Sequence, residues 1–179
     1  QLEAKGIVGL GYWNNGFKSL SANTPLRQPD ELLGLKVRIQ SSRVIEEQMT
    51  ALGALPQVLA FSEAYQALSS GVVDGTENPP SNFYNQKMFE VQKYLTITNH
   101  VYTPVALVAS KKWWASLTPQ QQAAVQKAAE ETRTFQRKEE LRQAAEVVGE
   151  LKAKGMSVTE MPPAELDKIR AAVQPVVDQ

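Results

Sequence analysis

The sequence predicts an α/β lobe, a mixed sheet with parallel pairs flanked by helices, joined to one unusually long helix. Three observations carry that expectation. Between Gly34 and Pro79, short β-prone runs alternate with stretches of helical period in the order strand, helix, strand, helix, strand, a pattern that builds parallel pairs. A β-rich run, TITNHVYTPVALVAS, follows. From Pro119 onward, helical spacing then persists for about 30 residues.

Each element has a local reason. Lys5 to Trp13 is rich in glycine and β-formers and reads as a strand, with Asn14-Asn15-Gly16 as its turn. Pro29-Asp30-Glu31-Leu32 opens a short helical turn. Leu35 to Gln40 alternates apolar Leu35, Val37 and Ile39 with polar Lys36, Arg38 and Gln40, so one face is core and the other polar. Ser42 caps a helix over about 43–52 that Gly53 ends. Leu55 to Ala60 reads as a strand, and Ser62 as the cap of a helix burying Ala64, Tyr65 and Leu68. The chain turns near Gly71 and returns to a strand at Val72-Val73. Residues 91–110 form a long β segment, broken or bent at Pro104. The long helix aligns Val125, Ala128, Thr132, Phe135, Leu141, Ala144, Val148 and Leu151 on one face. Met156 to Met161 reads as a strand, and Pro163 starts a last helix.

Composition removes several classes of function. Nineteen basic and nineteen acidic side chains cancel, so no net field draws nucleic acid or an anionic membrane. No apolar run reaches the roughly 18 residues a membrane helix needs, and no charged-then-apolar start reads as a signal peptide. Cysteine is absent, which excludes disulfides and thiolate chemistry. Gly9, Gly11 and Gly16 do not have the spacing of a dinucleotide fingerprint.

Catalysis finds little support. His100 is the single histidine, it falls mid-strand, and no G-x-S-x-G elbow accompanies it, so it reads as a core or surface histidine. Asp74 and Glu77 lie in a stretch read as a turn and match no calcium loop. The charges of the long helix, such as Glu130 with Arg133 and Glu139 with Arg142, read as a solvated face. Arg38 differs in kind, because a guanidinium on a strand is a fixed fork for a carboxylate. Taken alone it is first read as a solvated side chain, and Asn78 in Asp-Gly-x-x-Asn-Pro as turn chemistry.

The motifs GYWNNGFKSL, LLGLKVRIQSS, LGALPQVLAFSEAYQALSSGVVDGTENPPSNFY, FEVQKYLTIT and KKWWASLTPQQQ, in that order over nearly the whole chain, resemble the extracytoplasmic solute-binding proteins of TRAP transporters, in the dicarboxylate-binding DctP branch. The resemblance implies a lobe of the type II periplasmic-binding-protein kind, with the ligand-binding core at 16–103. It implies a crossing strand and bridging helix at 104–143, joined with 1–15 as part of the first lobe. Residues 144–179 are expected to pack back on the second lobe. It implies a periplasmic receptor that binds a small organic acid and delivers it to the membrane permease subunits, with no catalysis and no cofactor. Arg38 is implied as the carboxylate clamp and Asn78 as a polar contact. Lys18 stands where the family commonly has an arginine, keeping the charge without the fork. Trp13, Tyr65 and Phe83 lie near motif positions and are expected to line the cleft. A metal-dependent branch carries Glu-Trp where this chain has Glu77-Asn78, which argues against a bound cation. Most of the first lobe is expected to lie outside this sequence. The surface it would cover then points to a homo-oligomer or a domain-exchanged dimer, and to the alternative of a self-associating structural piece without tight ligand binding.

Overall fold

In a computed structural model of the chain, which describes residues 2–178, six strands form one mixed sheet. They are β1 (Ile7–Ala22), β2 (Lys36–Ile39), β3 (Leu55–Val58), β4 (Gly75–Asn78), β5 (Tyr94–Ser110) and β6 (Ser157–Glu160), ordered β3-β2-β4-β1-β5-β6. The helices are α1 (Arg43–Ala51), α2 (Ala64–Ser69), α3 (Pro80–Asn85), α4 (Lys111–Ala115), α5 (Pro119–Ala153) and α6 (Pro163–Val177). β2 runs parallel to β3 and β4, β5 parallel to β6, and β1 antiparallel to β4. Among the described residues no helix is long and apolar enough to cross a membrane.

The chain divides into two compact units. One takes the residues up to Gly16 with Tyr102–Ala145, the other Phe17–Val101 with the residues from Glu146 on. In the second unit the sheet separates two apolar clusters. Leu20, Val37, Ile39, Met49 and Ile169 pack on the face covered by α1 and α6. Ala64, Leu68, Phe83, Met88 and Leu95 pack on the face covered by α2 and α3, with Val147 and Leu151 from the end of α5. A strand covered on both faces hides every side chain, and all four residues of β4 are buried.

Several local expectations give way to the structure. Asn14-Asn15-Gly16 does not end the first strand, which continues to Ala22. Asn14 instead receives Gln136 of α5, its N–H donating to Oε1 at 2.9 Å and its carbonyl accepting from Nε2 at 2.6 Å. Within this strand Gly16 has φ +77°, a value glycine adopts freely. Ser62 lies inside a 3-10 turn, Phe61–Glu63, and the cap comes from Glu63 Oε2, which accepts from Ala60 N–H at 3.0 Å. The strand expected at Val72-Val73 falls at Gly75–Asn78. There β4 lies so close to β1 that a Cβ on Gly75 would sit 2.1 Å from the Ser21 carbonyl oxygen. Pro104 does not interrupt β5. The expected apolar face of α5 is only partly buried. Of its residues Leu151 is buried and Val125 and Val148 are half-buried, while Ala128, Thr132 and Ala144 are exposed and Phe135 and Leu141 are 68% and 65% exposed. The other buried residues of α5, Ala129 and Val147, each lie one position from that face. Ser42 does cap α1, its Oγ accepting from Ile45 N–H at 3.4 Å.

Candidate functional site

β2, β3 and β4 are parallel, so their carboxyl ends open on one edge of the sheet, where α/β proteins commonly bind ligands. Arg38 lies one residue from the end of β2 and Asn78 ends β4. The alternation that suggests a polar, solvated face for Arg38 is not realised, because its side chain is 3% exposed. Nε and Nη2 both donate to the Leu59 carbonyl, at 3.0 and 2.7 Å. The guanidinium carbon stands 5.6 Å from the centre of the Phe61 ring, within cation–π range. Nη1 has no protein acceptor among the described residues, and no carboxylate there makes an ion pair with Arg38. Burial lowers the pKa of Arg38, opposed by the charges of Glu77 and Glu63. The result is a fixed, partly desolvated cation with one nitrogen unspent.

Thr76 links Arg38 and Asn78. It pairs with Arg38 in the β2–β4 register, its Oγ1 donates to the Arg38 carbonyl at 3.1 Å, and it accepts from Asn78 Nδ2 at 3.1 Å. Residues two apart on a strand share a face, so Thr76 and Asn78 stand on the same side, beside Arg38. The Asp-Gly-x-x-Asn stretch is therefore strand over Gly75–Asn78 rather than a turn.

Lys18 has a different setting. Its Nζ donates to Glu77 Oε1 at 2.6 Å, and the two side chains are 2% and 0% exposed. His100 Nε2 lies 3.8 Å from Glu77 Oε2, and both of those atoms are sealed without a hydrogen-bond partner among the described residues. His100 Nδ1 lies 2.7 Å from Thr98 Oγ1. Burial pushes the Glu77 carboxyl up, opposed by Lys18 and then Arg38. Burial, helped by Lys18, lowers His100 to about 4, so the ring is neutral at pH 7. A cavity of about 90 Å³ lies beside this group, lined by Gln48, Met49, Leu52, Thr98, His100 and Ile169 among others. It is well below the roughly 300 Å³ at which ligand pockets begin.

The three aromatic candidates separate. Phe83 is fully enclosed in the cluster under α2 and α3. Tyr65 is half-buried rather than buried, and its hydroxyl donates to Glu90 Oε2 at 2.8 Å. Trp13 belongs to the other unit, where its Nε1 is sealed without a partner. The aromatic ring that meets Arg38 is Phe61, which the sequence reading missed. Its signal was its place just after the carboxyl end of β3, in a connection leading into a helix. Among the described residues no group of three or more His, Asp or Glu is placed to hold a metal ion.

Comparison with known proteins adds context. The sequence pattern of the bacterial extracellular solute-binding proteins of family 7, DctP, matches residues 1–179. The C4-dicarboxylate-binding periplasmic protein DctP of Rhodobacter capsulatus is 58% identical over 135 residues, which is 75% of this chain and 40% of that protein. The sugar acid binding protein DctPAm of Advenella mimigardefordensis, solved in complex with galactonate, superposes with a TM-score of 0.96 at 37% identity, over 99% of this chain and 57% of its own. A TRAP periplasmic solute binding protein of Shewanella oneidensis with bound succinate gives 0.95 at 36% identity, over 98% of this chain and 58% of its own. The chain thus spans about half the length of the relatives it matches.

Proposed function

Since the chain belongs to family 7 of the bacterial extracellular solute-binding proteins, the DctP family, we propose that the intact protein captures a small organic acid through its carboxylate and delivers it to the membrane subunits of a TRAP transporter. The family is one of periplasmic binding proteins, not of enzymes. Arg38 is the anchor in this reading, Asn78 its polar neighbour and Phe61 an apolar wall. The observation that carries the reading is the Arg38 guanidinium, buried without an ion pair among the described residues and held in place through the Leu59 carbonyl. A buried cation lacking a counter-ion is costly, and a carboxylate arriving at the free side of the fork supplies one. Relatives bind C4-dicarboxylates, succinate and galactonate, so these acids form the starting panel. The test is calorimetric titration of the intact protein with each acid. Binding of at least one, lost in Arg38→Ala, supports the proposal, and no binding of any carboxylate rejects it.

One observation favours a second property. Phe135 and Leu141 leave apolar surface open on α5, so the 179-residue chain on its own is expected to self-associate through it.

A further inference from the structure

Two basic residues stand near the candidate site, and a diacid would suit two anchors. The strand geometry argues otherwise. In the β1–β4 register Ser19 faces Asn78 and Leu20 faces Glu77. Side chains alternate along a strand, so Lys18, Leu20 and Glu77 lie on one side of the sheet, and Ser19, Thr76 and Asn78 on the other. Arg38, paired with Thr76, lies on the second side. The packing agrees. Leu20 belongs to the cluster under α1 and α6, and His100 borders the cavity there with Met49 and Ile169. Lys18 is therefore divided from the Arg38 fork by the sheet itself. Its ammonium is sealed, and it is already neutralised by Glu77 at 2.6 Å.

We infer that Lys18 and Glu77 form a charge-silent pair behind the sheet, that this lobe holds one ligand carboxylate, at Arg38, and that the second carboxylate of any diacid is gripped beyond this lobe. The inference rests on the proposed role of Arg38. It concerns the valence of the site. A lone Lys18 would add one positive charge, whereas the pair adds none, and the neutral His100 adds none either. Arg38, which feels the charges of Glu77 and Glu63 but makes no ion pair among the described residues, is then the buried cation this lobe offers a ligand. The pair also has a place in assembly, because a buried carboxylate facing a buried ammonium fixes the β1–β4 register at the end where Asn78 sits.

The test is a double-mutant cycle in which the second partner is a group on the ligand. The intact protein is titrated with succinate and with succinamate, which replaces one carboxylate by a neutral amide of the same shape. The ratio of the two dissociation constants is compared between the native pair and Lys18→Met/Glu77→Gln, which removes both charges together. The charge-swapped pair Lys18→Glu/Glu77→Lys serves if the neutral pair does not fold. An unchanged ratio, within about twofold, is the expected result. A fall of tenfold or more in the preference for succinate makes Lys18 a second anchor and overturns the inference. The Arg38→Ala protein is titrated in parallel. If it binds both acids as well as the native protein does, the proposed anchor fails, whatever the Lys18 result.

Discussion

Replacing Arg38 by alanine removes the one buried cation that, among the described residues, lacks an ion pair, and its effect on binding follows from that setting. A ligand carboxylate at the fork would form a charge-assisted contact in a site where the guanidinium is already stripped of most water. Removing one partner of a buried pair costs about 3–5 kcal/mol, which at about 1.4 kcal/mol per decade weakens binding by two to three and a half orders of magnitude. Folding should suffer far less. The deletion gives up two hydrogen bonds to one carbonyl, Leu59, but also relieves the desolvation that lowers the Arg38 pKa. Arg38→Lys separates charge from shape: an ammonium cannot hold the Leu59 carbonyl and a carboxylate in one rigid fork, so binding should weaken by about tenfold or more while the charge remains. The assay is calorimetric titration of the intact protein, with thermal unfolding of each variant alongside. A folded Arg38→Ala protein whose affinity stays within threefold of native would refute the reasoning.

Glu77→Ala strands the Lys18 ammonium in the interior and should destabilise by about 3–5 kcal/mol, lowering Tm by roughly 2–4 °C per kcal/mol. An unchanged Tm would contradict the buried pair. Gly75→Ala drives a methyl into the Ser21 carbonyl and should cost at least about 1–3 kcal/mol by forcing β1 and β4 apart, read as a lower urea midpoint. His100 titrates near 4 in the fold and near 6.5 when unfolded. Between those values the unfolded chain holds a proton the native one lacks, so stability should fall as pH drops through that window, by up to about 3 kcal/mol. Glu77, whose pKa burial raises, works in the opposite sense, its contribution being lost as pH rises through the raised value. His100→Gln should remove the histidine part of the slope between pH 6.5 and 4, measured by urea unfolding. On α5, Phe135→Ser with Leu141→Ser should abolish self-association of the 179-residue chain in sedimentation velocity, and persistent oligomers would place the contact elsewhere.

Elements with local chemistry were readable from sequence. Ser42 and Gly53 bracket α1, Pro119 and Pro163 start their helices, and the Leu35 to Gln40 pattern marks β2, each signal lying within a few residues of the element it marks. What the sequence hid depends on distance along the chain. β4 is written in Gly-Thr-Glu-Asn, residues of turn-like composition, and becomes a strand because β1 and β2 pair with it from both sides. The Lys18–Glu77 contact spans 59 positions, and nothing local distinguishes Glu77 from a turn acid. Asn14 reads as a turn because its partner, Gln136, lies 122 residues away. The alternation in β2 assigned Arg38 the correct face but the wrong exposure, because helices cover both sides of this sheet. Phe135 and Leu141 fit an apolar helical face by spacing alone, and spacing does not say whether a neighbour covers it.

The most direct measurement is a crystal structure of the intact protein grown with an acid that it binds. The account predicts a ligand carboxylate about 2.7–2.9 Å from an Arg38 nitrogen, Asn78 close by, and Lys18 still on Glu77. A carboxylate held elsewhere, with Arg38 donating to Leu59 alone, would contradict it.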